Sequence, residues 1–207
     1  MLKKSALNLL FVLIVLTGCS SGEKGVSVNK EPIEDVEEIV INFASTDVNF
    51  LPSEKSELET YLTAYDNGPG VILDKSSERL SIDLGNDIRR LFPSRKKPTL
   101  EVKIPHQFKG EIILDGSSGS VSGKNLVQNN IDVRSSSGNI ELHFKELNGD
   151  VEISTTSGNA SVTFDEEQPN LDLEIGTNSG KQSINLSLSE KSQTKKGLKG
   201  SSGNGEN

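Results

Sequence analysis

Five cations fall within nine residues, at Arg89, Arg90, Arg95, Lys96 and Lys97. The chain around them carries 30 acidic against 22 basic residues, a formal charge of −8. Such a cluster suits an anionic partner, whether wall polymer, lipid headgroup or acidic protein, with a plain solvated loop as the alternative. Asp115, Asp132, Asp150 and Glu152 fall where an acidic ladder could line one outer face of a sheet. Two carboxylates about 5–9 Å apart would serve glycoside hydrolysis, but ordinary charge on a solvated strand face is the simpler reading. His106 and His143 are far apart and match no metal-ligand spacing, so no metal or cofactor is expected. None of the many serines sits in a hydrolase motif, and no catalytic residue is assigned. With no Trp and with Tyr61 and Tyr65 as the two tyrosines, stacking platforms for sugars are scarce.

The single thiol, Cys19, has a more definite setting. Lys3 and Lys4 precede an apolar stretch from Leu7 to Thr17, which ends in Leu16-Thr17-Gly18-Cys19. That stretch is far shorter than the roughly 20 residues that span a ~30 Å hydrocarbon core, so it reads as a secretory leader over residues 1–18. The Leu-Thr-Gly-Cys run resembles the bacterial lipobox, in which the Cys sulfur receives a diacylglycerol and becomes the new N-terminus. Two acyl chains, at ~0.8 kcal/mol per buried CH₂, give stable attachment where one is marginal. The expectation is a palmitate-type lipoprotein on the outer face of a bacterial membrane. Departure of Lys3 and Lys4 takes the formal charge from −8 to −10. Such a chain is repelled by nucleic acid and by anionic lipid, so the lipid on Cys19 must hold it at the membrane.

Residues 19–35 read as a flexible tether and 191–207, rich in Lys, Ser, Gly and Asn, as a disordered tail. Between them, residues 36–190 alternate apolar and polar side chains. Around Gly138 the apolar set is Ile131, Val133, Ile140, Leu142 and Phe144; around Gly158 it is Val151, Ile153, Ala160, Val162 and Phe164. Related sets surround Gly119 and Gly180, the last with a polar Gln182 at one inward position, and earlier ones surround Thr46 and Glu78. Each unit is strand, tight corner, strand, the corners being 116–119, 135–138, 155–158 and 177–180, where Gly allows φ > 0 and Ser or Thr bonds the backbone. A lone unit of about twenty residues cannot bury its apolar face, whereas stacked units bury one another's. The expectation is an all-β, two-sheet β-solenoid-like stack of strand–corner–strand repeats, with an antiparallel β-sandwich as the alternative. Residues 53–64 fit a strand better than a helix, and residues 86–99 read as an excursion loop before a strand Leu100-Val102-Ile104.

The run Ile39–Phe50, the segment Leu100–Pro105 and the Ser/Thr-Ser-Gly corners resemble the bacterial envelope domain family labelled "putative adhesin". This domain of unknown function also occurs in LiaG-type and YvlB-type proteins. The resemblance covers residues 36–188 and implies an all-β repeat fold on a surface protein, with no catalytic residues to carry over. The departures are the lipobox and the basic 89–97 segment. Together these features point to a lipid-anchored cell-envelope protein with a non-catalytic binding or scaffold domain, partnered by the membrane through Cys19 and by a wall polymer or envelope protein. An enzyme acting on envelope polysaccharide is the alternative.

Overall fold

The computed structural model describes residues 24–65, 70–84 and 97–203, and these contain strands and no helix. The first strands are β1 (Lys24–Pro32), β2 (Glu38–Ala44), β3 (Asp47–Ser53), β4 (Glu57–Tyr65), β5 (Val71–Lys75), β6 (Arg79–Leu84) and β7 (Thr99–Pro105). A regular run follows: β8 (Glu111–Gly116), β9 (Val121–Leu126), β10 (Asn130–Ser137), β11 (Ile140–Phe144), β12 (Asn148–Ser157), β13 (Ala160–Phe164), β14 (Asn170–Thr177) and β15 (Gln182–Ile184). Two short strands close it, β16 (Ser189–Gln193) and β17 (Gly197–Ser202).

Even-numbered strands from β8 to β14 lie parallel in one sheet, and odd-numbered strands from β9 to β15 lie parallel in the other. Each corner therefore carries the chain from one sheet to the other. That is a solenoid coil, and it excludes hairpins at these corners. Ile112, Ile131, Val151 and Leu173 are adjacent in register, and all are buried between the sheets. On the facing sheet the rings of Phe144 and Phe164 stack with centroids 5.4 Å apart. One continuous apolar core runs through every coil, as period-two strands with one oily face require.

The corner glycines form a column for a reason that composition alone does not give. A Cβ on Gly119 would collide with the carbonyl oxygen of Thr46, one on Gly138 with that of Gly119, one on Gly158 with that of Gly138, and one on Gly180 with that of Gly158. Of the four, only Gly138 has positive φ, at 114°. Close backbone stacking, more than left-handed conformation, demands glycine here. Beside the column, the Asn139 side-chain oxygen accepts the Asn159 N–H at 3.2 Å, and the Asn159 oxygen accepts the Lys181 N–H at 3.0 Å.

The N-terminal part departs from simple succession. The β2–β3 coil pairs on one side with β8–β9 and on the other with β6 and β7. The unit around Glu78 is not a coil: β5 and β6 form an antiparallel hairpin within one sheet, with Leu73 opposite Ile82. Its apolar spacing matches the repeats because a hairpin and a coil corner place alternate side chains alike. Residues 57–65 are a strand, as expected, with Leu58 and Leu62 buried. The strand Leu100-Val102-Ile104 is also present, its three apolar side chains fully buried.

Both segments expected to lack structure contain strands. The proposed tether holds β1, antiparallel to β4. The proposed tail holds β17, which pairs antiparallel with β14 and places Leu198 opposite Ile175. Composition misleads there because an open parallel edge is satisfied by backbone pairing, which needs only one apolar anchor and small residues such as Gly200 and Ser202.

Candidate functional site

The outer face of β1, β4 and β7 concentrates the most distinctive chemistry among the described residues. Antiparallel register fixes its rows: Val26 lies beside Thr63, Val28 beside Tyr61 with Glu101 on the far side of Tyr61, and Lys30 beside Glu59 with Lys103 on the far side of Glu59. The Glu59 carboxylate has no exposed surface, although it projects from the outer side of β4. Lys55 Nζ donates to it at 2.7 and 2.8 Å, Lys30 Nζ lies 2.9 Å away, and the Tyr61 hydroxyl donates at 3.0 Å. Lys103 Nζ sits 4.6 Å above the Tyr61 ring, a cation–π contact.

These donors hold the Glu59 carboxyl down at about 2, with Lys55 the largest cause and Lys30 the next. Lys30 is raised in turn, chiefly by its bond to Glu59. A depressed carboxyl stabilises the fold above its ordinary value of 4.5, and that support drains away as pH falls through about 2. Hydrogen-exchange protection of the Val26–Lys30 amides, corrected for intrinsic rates, is therefore expected to fall between pH 4.5 and 2 while that of β10 and β12 persists. In a Glu59→Gln chain the pH dependence of β1 should flatten. A wild-type β1 whose protection is constant over this range would refute the linkage.

Strand β1 is inverted in polarity. Its inner positions are Ser27, Asn29 and Glu31, whereas Val26 and Val28 point outward with relative exposures of 57% and 49%. The polar inner side is met from the opposite sheet by Lys75, whose Nζ donates to the Pro32 carbonyl at 2.6 Å and lies 3.9 Å from Glu31. Sequence reading missed this arrangement. The signal was the Val26/Val28 alternation, too brief to register as a strand within a polar segment.

The expected acidic ladder is present on the outer face of the other sheet. Asp132 stands beside Glu152, Asp150 beside Asp172, and Glu152 beside Glu174. Asp132 is buried and bonded by Arg134, and Lys199 Nζ donates to Glu174 at 3.0 Å. A depression of about 330 Å³ lies over this face, lined in part by Asp172, Glu174, Glu190 and Lys199. Asp115 lies further along the same face, in register with Arg134.

The two histidines stay apart in role. His143 Nδ1 accepts the Asn125 N–H at 3.3 Å, so its Nε2 donates to Asp165 at 2.9 Å; His106 lies 3.3 Å from Glu54. Among the described residues no group of three or more His, Cys, Asp or Glu is placed to hold a metal ion. Cys19, Arg89, Arg90, Arg95 and Lys96 lie outside the described residues. Lys97 is described and exposed, two residues before β7.

Residues 113–207 match the family model described as Toastrack DUF4097. No curated protein matches the chain. A solved structure described as a putative cell adhesion protein from Clostridium sporogenes ATCC 15579 is similar over 80% of this chain and 100% of its own, at 13% identity and a TM-score of 0.64. Another, a putative adhesin from Bacteroides fragilis NCTC 9343, aligns over 80% of this chain and 99% of its own, at 12% identity and a TM-score of 0.35. The first likeness is one of fold. The two-sheet coil architecture and the family match over residues 113–207 agree with the resemblance read from the corners: in fold, and over that stretch in sequence, the chain is similar to the uncharacterised "putative adhesin" domain family.

Proposed function

We propose that this protein is a lipid-anchored cell-envelope component whose β-repeat domain is a non-catalytic binding or scaffolding wall. The observation that carries the reading is the lipobox-like Leu16–Cys19 run lying five residues ahead of the first strand. Secretion, acylation at Cys19 and a rigid domain held close to the bilayer make one consistent sequence of events. The non-catalytic half is supported by the regular columns of charge on the outer faces. Carboxylates there stand beside others at strand spacing, and the one strongly shifted acid among the described residues, Glu59, is depressed, the reverse of a general acid. The basic segment ending at Lys97 is the part suited to wall polymer or another anionic partner.

The test is metabolic labelling with an alkyne fatty acid in a bacterial host. Wild-type protein is expected to incorporate label and to pellet with membranes, and Cys19→Ala to do neither. Label retained by the alanine variant would refute acylation at Cys19. Replacing Arg89, Arg90, Arg95, Lys96 and Lys97 by Gln should weaken binding to purified anionic wall polymer; unchanged binding would exclude this segment from that role.

A further inference from the structure

We infer that the outer face of β1, β4 and β7 lies against the lipid surface, with Val26 and Val28 seated among the headgroups. The inference rests on the reading of Cys19 as the lipidated residue and adds to it an orientation. Only four residues separate Cys19 from Lys24, and the five steps between them, at about 3.3–3.6 Å each, reach no more than roughly 18 Å. A domain leashed so closely must turn some face to the bilayer. The face at the end of the leash is the one where apolar side chains point the wrong way for a soluble strand.

A one-residue slip of β1 against β4 would turn both valines into the sandwich and the polar residues out. The register is nevertheless fixed the other way, by Lys30 on Glu59 outside and by Lys75 on Glu31 and the Pro32 carbonyl inside. The chain thus spends three charged contacts on keeping Val26 and Val28 exposed. Tyr61 lies between Val28 and the next strand, adding an amphipathic ring of the kind favoured at a membrane interface.

Charge agrees. In a chain of net −8, this face carries Lys24, Lys30, Lys55 and Lys103 against Glu57, Glu59 and Glu101. Glu59 is enclosed by Lys30 and Lys55, and Glu101 is 3.3 Å from Lys103, so the face carries one more cation than anion while the chain as a whole is acidic. Lys97, exposed two residues before β7, adds a further cation near this end of the sheet. Valines ringed by lysines fit an anionic bilayer surface, each acting where the lipid anchor has already placed it. The edge itself is guarded against strand addition by Lys24, Lys30 and Pro32, which favours use of the face over use of the edge.

The chain lacks Trp, so a single introduced indole reports its own site. Full-length Val28→Trp and Ile72→Trp proteins, acylated in a bacterial host, would be reconstituted in phosphatidylglycerol/phosphatidylcholine vesicles with brominated acyl chains. Ile72 is the control because it is equally exposed, at 54%, on the outer face of the opposite sheet. Emission of the Val28→Trp protein is expected to shift to the blue and to be quenched about twofold or more beyond that of Ile72→Trp. Flotation of the wild-type chain with vesicles, lost in Cys19→Ala, separates the two readings. If flotation depends on Cys19 but both indoles remain equally unquenched, the docked face is overturned and the anchor stands. If flotation does not depend on Cys19, both are overturned. A blue-shifted but unquenched indole in a protein of doubled mass would assign the face to a second copy and likewise overturn it.

Discussion

A Gly158→Ala chain should lose about 3 kcal/mol or more of stability, out of all proportion to one methyl group. The new Cβ would occupy the position of the Gly138 carbonyl oxygen in the preceding coil. That obstacle is backbone, in the corner between β10 and β11, each of which is paired to a strand on either side, so it cannot swing away as a side chain would. Relief requires two coils to separate at the corner, which breaks the hydrogen bond from the Asn159 N–H to Asn139. Gly176→Ala is the control. Its Cβ would meet nothing closer than the Ile153 carbonyl at 3.9 Å, and the change should stay within about 0.5 kcal/mol. Urea melts of both variants measure the contrast, and near-equal midpoints would show that the corner column is not the constraint described.

The second large effect belongs to Phe144, fully buried and stacked on Phe164 at an interplanar angle of 15°. Truncation to Ala should cost about 3–5 kcal/mol. The manner of unfolding is the sharper expectation. In a stack where each coil touches only its neighbours, a cavity at β11 weakens the joint between the coils before it and after it. Hydrogen exchange in Phe144→Ala should show β12 to β15 opening at lower urea than β2, β3 and β7. Simultaneous loss of protection throughout would instead mark the domain as one indivisible cooperative unit.

The regular coils were readable in the sequence because each carries the same two instructions, alternating polarity and a small-residue corner. Ile131, Val151 and Leu173 occupy equivalent offsets, and the structure places them side by side. The ends were harder for a physical reason. A capping strand is held by backbone pairing and ion pairs more than by an oily face, so β1 and β17 lack the pattern that identifies an inner strand. The Glu78 unit shows the converse, a correct apolar pattern that does not say whether a chain turns back or crosses over. At the candidate face, Glu59 is one of several acids within residues 53–64, and nothing in its spacing sets it apart. Its enclosure by Lys30 and Lys55 depends on strand partners that no local spacing reveals.

The two termini of the stack are sealed by different material, β1 and β4 at one and the β16–β17 hairpin at the other, while the coils between are interchangeable in geometry. Duplicating one interior unit, for instance the residues from β12 through β13, would leave both seals untouched. Each such insertion of about twenty residues would lengthen the molecule by about 4.8 Å. Gene-level copying of a single unit thus acts as a ruler, setting how far one sealed rim stands from the other without redesigning either.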